Sequence, residues 1–239
     1  MSGLLVVIPV LSLDIAEPCI DSILADDNAA EFTPDELLLI DNTRGGIGDT
    51  GLTVHRDSDG HNLGVARSWG IGVHEVLERD LDYLVILSES IRFGPILHTT
   101  WRRQLERFWG ENVIEAEGLS WKAIAIHRRV FERVGTFDGC LWPGYWEAQD
   151  FAFRMRLVGM EGGWTRIWFN AMAAHVAAHS HLVKAAPLLA YMEAKWGGPK
   201  HHETFTLPFG DKPLGWFEDV PIPELAARYG YGPRFTDWW

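Results

Sequence analysis

The feature that most constrains the fold is a series of short runs rich in apolar residues in the first ninety residues, the first of which is unbroken. The runs occupy positions 4–8, 36–40, 52–55 and 83–87. Unbroken runs of branched apolar residues are typical of strands buried on both faces, as in a parallel sheet covered by helices. Segments 16–25 and 62–77 place apolar residues at helical spacing between the runs. We therefore predict an α/β fold with a mainly parallel sheet flanked by helices.

The second half of the chain continues with elements of both kinds. Helical spacing predicts helices over 96–109 and 128–134, whereas apolar patterning predicts strands over 121–126 and 164–169. The tail from Ala190 onward is rich in Trp, Gly and Pro. We expect this tail to wrap the domain rather than form a core of its own.

Three of the predicted strands end in polar residues. Asp41 and Asn42 follow the second strand, Asn62 follows the third, and Ser88-Glu89-Ser90 follows the fourth. Open α/β sheets bind their ligands beyond the carboxyl ends of the strands. One polar strand end alone is best read as a turn or a cap, but three at one edge of a sheet favour a ligand site.

An aromatic loop, broken by Pro143 and Gly144, leads into a predicted helix that ends near Gly159. Asp150 falls in the first turn of this helix, where the exposed amides orient a carboxylate. Trp142, Tyr145 and Trp146 precede it and offer flat apolar surfaces on which a sugar ring can lie. The alternative is a helix-capping carboxylate beside a loop that packs into the core.

Composition limits the possible partners. The chain has 239 residues and a net charge of -12 without a basic stripe, so a nucleic-acid partner is not expected. Cys19 and Cys140 make no disulfide framework and favour buried thiols in a reducing compartment. The longest apolar run, 4–11, is too short to span a bilayer and lacks the flanks of a signal peptide. These features predict a cytoplasmic protein without a transmembrane segment.

The order of motifs resembles family-two glycosyltransferases of the GT-A (Rossmann-like) fold, of the bacterial or phage-encoded type. The resemblance covers roughly residues 4–200. The matching segments are Val7-Ile8-Pro9-Val10, Leu39-Ile40-Asp41-Asn42-Thr43, Asn62-Leu63-Gly64-Val65-Ala66-Arg67, Val85 to Ile91, His127 to Asp138, Gln149-Asp150 with Arg156 and Gly159, and Tyr191 to Gly198. No single motif is specific to the family, but their order and spacing together are.

The resemblance implies a nucleotide-sugar donor, by default a UDP-sugar, and a role for each matching residue. The residues implied in donor binding are Pro9, Asp41, Asn62, Arg67, Ser88, Glu89 and Ser90. Those implied in acceptor binding are Trp142, Tyr145, Trp146 and Gln149. Asp150 would be the general base that deprotonates the acceptor hydroxyl, giving transfer with inversion.

The resemblance also implies a divalent metal, Mn²⁺ or Mg²⁺, held by Glu89 and His175. Here the chain departs from the family, because Ser88-Glu89-Ser90 stands where a DxD motif supplies two carboxylates. Glu89 can still ligate a hard cation together with water and the diphosphate. Metal-independent transfer, with Arg67 or a lysine neutralising the leaving group, is the alternative.

The implied organisation is one GT-A domain over 1–180, with a nucleotide-sugar half (1–95) and an acceptor half (96–180). Residues 181–239 would form a C-terminal extension packed on the same domain. The acceptor would be a protein, a polysaccharide or a lipid-linked sugar.

Two other functions compete with this prediction. A catalytically inactive nucleotide-sugar or carbohydrate-binding protein is suggested by the altered DxD. A nucleotidyltransferase is disfavoured, because Val10 to Asp14 form no Gly-rich loop with a basic residue after the first strand.

Overall fold

The computed structural model describes residues 3–25, 30–96, 99–168, 170–173 and 185–231. The strands are β1 Leu4–Val10, β2 Leu37–Asp41, β3 Thr53–Arg56, β4 Tyr83–Leu87, β5 Ile91–Phe93, β6 Val113–Ala116, β7 Ala123–His127, β8 Trp164–Ile167 and β9 Ala171–Ala173. The helices are α1 Leu13–Leu24, α2 Gly64–Glu78, α3 Trp101–Arg107, α4 Arg128–Val134, α5 Glu147–Leu157, α6 Ala185–Trp196 and α7 Ile222–Tyr229.

Seven strands form one sheet in the order β3-β2-β1-β4-β7-β6-β8. Strands β1 to β4 are mutually parallel, with Val6 of β1 opposite Leu37 on one side and Val85 on the other. Strand β7 runs antiparallel to both β4 and β6, and β6 pairs in parallel with β8. The predicted α/β class and mainly parallel sheet are confirmed.

Several boundaries differ from the prediction. Strand β1 continues through Pro9 to Val10, two residues beyond the predicted run 4–8. Helix α3 begins at Trp101 rather than residue 96, because the Thr100 hydroxyl accepts the amide of Arg103 and caps the first turn. Strand β7 begins only at Ala123, since the three residues before it form a 3-10 turn.

Two buried clusters cover the two faces of the sheet. On one face, Val7 and Ile86 pack with Trp69 of α2 and Phe151 of α5. On the other face, Val6 and Val85 pack with Ile23 of α1 and Trp101 of α3. The first cluster also contains Leu188 of α6 and Leu225 of α7, so the described part of the C-terminal extension shares the core of the sheet. Among the described residues, no helix is both long and apolar enough to cross a bilayer.

Candidate active site at the carboxyl edge of the sheet

Asn42 joins the polar strand ends into one edge. Its backbone amide donates to the Val10 carbonyl at the end of β1 (2.9 Å). Its side chain accepts the Leu63 amide (2.8 Å) and donates to the Ser68 hydroxyl (3.0 Å), which fixes the start of α2. The predicted convergence of these strand ends at one edge therefore occurs in the structure.

Asn62 connects this edge to the aromatic loop. Its side-chain oxygen accepts the Gly64 amide (2.8 Å), and its carbonyl accepts the indole N–H of Trp142 (2.7 Å). Gly64 has φ +73°, and a side chain there would collide with the Trp142 ring and the Pro143 carbonyl. A glycine is therefore required where the loop crosses the start of α2.

Asp41 lies at the edge but is already fully engaged. Its carboxylate accepts the amide and hydroxyl of Thr43 (2.9 and 2.6 Å), the Ile47 amide (3.1 Å) and the Arg56 guanidinium (2.5 Å). Burial alone would raise the pKa of Asp41, but these hydrogen bonds outweigh it and lower the pKa. The carboxylate thus organises its own loop, and Arg56, which the sequence analysis missed, is the group it orients.

Glu89 is a buried carboxylate at the end of β4 with one oxygen still available. Its Oε2 accepts the amides of Leu11 (2.8 Å) and Ser12 (3.2 Å), which ties it to the loop after β1. No residue in the described ranges bonds its Oε1. Burial raises the pKa of Glu89 to about 7, although the two amides and Arg92 act in the opposite direction.

The Ser88-Glu89-Ser90 segment offers oxygen atoms that could bind a divalent metal. The Ser88 and Ser90 hydroxyls lie 2.9 Å apart, and the residue between them, Glu89, supplies a carboxylate oxygen; all three are hard oxygen donors. Such donors fit Mg²⁺ or Mn²⁺, with one carboxylate instead of two. His175, the other predicted metal ligand, lies outside the described residues.

A second group of possible metal ligands follows β3. Asp57, Asp59 and His61 bring their ligand atoms within 4.8 Å of one another. However, Asp57 Oδ2 already accepts the amides of Asp59 and His61 (both 3.0 Å) and lies 3.2 Å from His61 Nδ1. These contacts account for the cluster as a structured turn.

The aromatic loop differs in part from the predicted sugar-binding wall. Trp142 is 1% exposed and packs in the core, so its faces cannot receive a ligand. Tyr145 is exposed, and Trp146 is half-buried. Both have positive φ (+77° and +71°), a conformation that costs bulky residues on the order of 1–3 kcal/mol each. The surrounding packing therefore imposes this turn immediately before α5.

Asp150 is placed differently from the predicted general base. It is 0% exposed, and Lys195 Nζ (2.8 Å) and Trp196 Nε1 (2.9 Å) lie against its Oδ1. Its Oδ2 accepts Arg154 Nε (2.9 Å). Burial alone would raise the pKa of Asp150, but Lys195 and Arg154 outweigh it and lower the pKa. A carboxylate with both oxygens paired and no access cannot reach an acceptor hydroxyl in this arrangement.

The same ion pairs extend to the loop before α5. Lys195 also contacts Asp138 (2.7 Å), whose carboxylate accepts the Tyr191 hydroxyl (2.9 Å). We call this set, which fastens α5 to α6, the α5–α6 network; it comprises Asp138, Asp150, Arg154, Tyr191, Lys195 and Trp196.

Glu147, the first residue of α5, is a buried carboxylate that forms no ion pair with the residues described in the structure. It is 8% exposed, and none of those residues is hydrogen-bonded to its Oε2. Burial raises the pKa of Glu147 to about 7, while its own backbone amide acts weakly in the opposite direction. The sequence analysis gave it no role; the available signal was its position as the first carboxylate after the aromatic loop.

Arg67 also differs from its predicted placement at the donor diphosphate. Its Nε donates to the Gly139 carbonyl (3.2 Å), and its Nη2 donates to the Val220 carbonyl. Burial lowers the pKa of Arg67. This arginine therefore links the start of the aromatic loop to the C-terminal extension.

A cavity of about 320 Å³ lies along the outer face of α5, bounded by α6 and the loop after it. We call it the α5–α6 groove; its lining residues are Trp146, Gln149, Ala152, Phe153, Arg156, Glu161, Trp164, Leu189, Met192, Glu193, Trp196, Gly198, Lys200, His201 and Glu203. Two predicted acceptor residues, Trp146 and Gln149, thus share one cavity.

Comparison with known proteins gives a clear answer only at the level of structure. No protein-family model and no curated protein matches the chain. The fold is similar to that of TarS from S. aureus, with a TM-score of 0.52 and 10% identity over 84% of this chain and 41% of TarS. It is also similar to glucosyl-3-phosphoglycerate synthase from Mycobacterium tuberculosis, crystallised with Mn²⁺, UDP and glucosyl-3-phosphoglycerate. That match has a TM-score of 0.54 and 14% identity over 84% of this chain and 82% of the synthase.

The chain spans about two fifths of the TarS chain but most of the synthase. Identities this low show the shared fold and leave the chemistry to the site itself. By sheet order and by these similarities, the chain has the GT-A fold.

Proposed function

We propose that this protein is a glycosyltransferase that moves a sugar from a nucleotide-sugar donor, a UDP-sugar by preference, to an acceptor hydroxyl. The observation that carries the proposal is the pair of buried carboxylates Glu89, just after β4, and Glu147, at the start of α5, neither of which forms an ion pair with any residue that the structure describes. Burying a carboxylate without neutralising it is costly, so such groups mark functional sites.

In this proposal Glu147 replaces Asp150 as the general base. The carboxylate of Glu147, which is 8% exposed where Asp150 is 0% exposed, takes the proton of the acceptor hydroxyl. The freed oxygen bonds to the anomeric carbon, and the bond from that carbon to the diphosphate oxygen breaks. A single displacement of this kind inverts the anomeric centre. A pKa of about 7 suits the task, because the group is partly deprotonated at neutral pH yet basic enough to accept a proton.

Glu89, Ser88 and Ser90 form the diphosphate end of the proposed donor site. A divalent metal held there would neutralise the charge that develops on the leaving group. Pro9 and Asn62, at the ends of β1 and of the loop before α2, line the nucleoside side. Asp41 contributes indirectly, because its carboxylate orients the Arg56 guanidinium. The Arg56 side chain is one-third exposed, so a nucleotide can contact it.

The test is calorimetric titration of UDP and of UDP-, GDP- and dTDP-sugars, each with Mn²⁺ and with EDTA, followed by a donor-turnover assay. Tight binding of one nucleotide, with slow hydrolysis or transfer of its sugar, supports the proposal. Binding without turnover under any metal would favour the inactive nucleotide-sugar-binding protein, for which the single carboxylate of Ser88-Glu89-Ser90 is the motivating feature. Absence of binding to every nucleotide contradicts both.

A further inference from the structure

The α5–α6 groove has the composition of a carbohydrate site. Trp146 and Trp164 are half-buried, so part of each ring is exposed to the cavity. Trp164 is held in place by a hydrogen bond from its indole to Glu115 (3.1 Å) and by edge contact with Trp121. A ring that is already fixed loses little side-chain entropy when a ligand packs on it. The C–H face of a pyranose is the matching flat, apolar surface.

The charges of the groove suit a neutral ligand. Arg156 and Lys200 supply two positive charges, and Glu161, Glu193 and Glu203 supply three negative ones. Arg156 is partly neutralised by Glu203 (3.8 Å) and lies over the Phe153 ring (4.7 Å). An anionic ligand would find no net positive field here. The hydroxyl groups of a neutral sugar both donate and accept hydrogen bonds. They can therefore pair with the carboxylates of the groove as well as with the Gln149 amide and the Arg156 guanidinium.

The position of the groove connects it to the proposed reaction. It begins at Trp146, next to the proposed base Glu147, and its floor is formed partly by Trp196 of the α5–α6 network. Its volume, about 320 Å³, falls within the range of small-molecule sites. A saccharide lying in the groove would thus pack against the first turn of the helix that carries the proposed base, while the Glu147 side chain itself lies on the buried face of that helix.

We infer that the α5–α6 groove is an acceptor subsite that binds a neutral oligosaccharide. This inference rests on the proposed function and narrows its acceptor, among protein, polysaccharide and lipid-linked sugar, to one with a neutral saccharide portion. Trp146 and Trp164 provide the stacking surfaces, and Gln149, which is exposed on the first turn of α5, provides hydrogen bonds.

The experiment measures saccharide binding without donor or metal, so that it is independent of catalysis. The protein is applied to an array of defined neutral and acidic oligosaccharides, and the best neutral one is titrated by calorimetry. Ala152→Trp fills the groove without removing a contact, and Ala194→Trp is its control, since Ala194 is exposed on α6 and does not line the cavity. Gln149→Ala is the milder variant.

We expect a neutral oligosaccharide to bind, Ala152→Trp to abolish binding, and Ala194→Trp to leave it unchanged. Gln149→Ala should weaken binding about two- to tenfold, as for the loss of one net hydrogen bond. Binding of acidic saccharides alone, binding of none, or equal binding by Ala152→Trp would overturn the inference. Titration of the same proteins with UDP separates the two proposals. If the wild-type protein binds UDP but no saccharide, the proposed saccharide subsite is wrong and the proposed glycosyltransferase function still stands.

Discussion

Two regions of this molecule bury carboxylates, and they treat them in opposite ways. In the α5–α6 network, Asp138 and Asp150 are both within 3 Å of the Lys195 ammonium, and Asp150 is also paired with Arg154. Just after β4 and at the start of α5, Glu89 and Glu147 form no ion pair within the described part of the chain, and burial raises the pKa of each to about 7. Asp150 and Glu147 lie on the same helix turn, so burial alone does not distinguish them.

The difference teaches which carboxylate can react. A fully paired carboxylate is stabilised as an anion and has no free lone pair directed at a ligand. An unpaired one is held near its neutral form and gains from a proton, a metal or a polar ligand. Pairing, rather than position on a helix, therefore separates the structural group from the proposed chemical one.

Glu147→Gln gives the largest expected effect. The amide keeps the shape but cannot accept the acceptor proton, so turnover should fall on the order of 10²- to 10⁴-fold with donor binding retained. The measurement is transfer or donor hydrolysis beside UDP titration, with Glu78→Gln, an exposed carboxylate at the end of α2, as control. Unchanged turnover in Glu147→Gln excludes it as the base.

Asp150→Asn tests the paired region. Removing the Asp150 charge leaves Arg154 without a carboxylate partner and Lys195 with Asp138 alone, and should lower the free energy of unfolding by about 3–5 kcal/mol. Urea denaturation measures this loss of stability. The control Asp80→Asn breaks the solvent-exposed pair with Arg128 and should change stability far less, because water screens that pair. If Asp150→Asn is as stable as the wild type yet inactive, Asp150 rather than Glu147 is the general base.

The pH dependence of stability provides a third comparison. Because burial raises the folded-state pKa of Glu147 from 4.5 to about 7, the folded state binds more protons than the unfolded state between those values. This group therefore lowers stability as pH rises from about 4.5 to 7, by on the order of 2–3 kcal/mol. Glu147→Gln should remove that decrease and be more stable than the wild type at pH 8; parallel curves for the two proteins would contradict the raised pKa.

The smallest expected effect concerns the metal. Glu89→Gln should weaken Mn²⁺-dependent UDP binding about tenfold or more, because the only free carboxylate oxygen of Ser88-Glu89-Ser90 is lost. Asp57→Asn should leave it unchanged, since the Asp57 carboxylate is bound to its own turn. Calorimetric titration of UDP into each variant, with Mn²⁺ and with EDTA, measures the effect. If Asp57→Asn weakens binding and Glu89→Gln does not, the metal site lies in the loop after β3.

Much of the fold could be predicted because it depends on local pattern. The runs at 4–8 and 83–87 are apolar at every position, and such strands have few alternatives to a buried parallel sheet. Strand β6 was missed, because Val113–Ala116 is four residues long and includes Glu115. The pair β5 and β9 was missed as well, since three residues each carry no readable period.

The site was less predictable because it depends on contacts distant in sequence. The convergence of Asn42, Asn62 and Glu89 followed from sheet topology alone. The burial of Asp150 did not, because it is caused by Lys195 and Trp196 on a helix that no pattern near Asp150 announces. Arg67 likewise is bound by Val220, 153 residues away.

The Lys195 ammonium has a consequence for how the chain folds during synthesis. It follows Asp138 by 57 residues, so both carboxylates leave the ribosome before the cation that compensates them. Until then α5 cannot settle into its final position without burying unneutralised charge. The sheet can assemble as it emerges, but the helix bearing the proposed base reaches its final packing only after Lys195 has been synthesised.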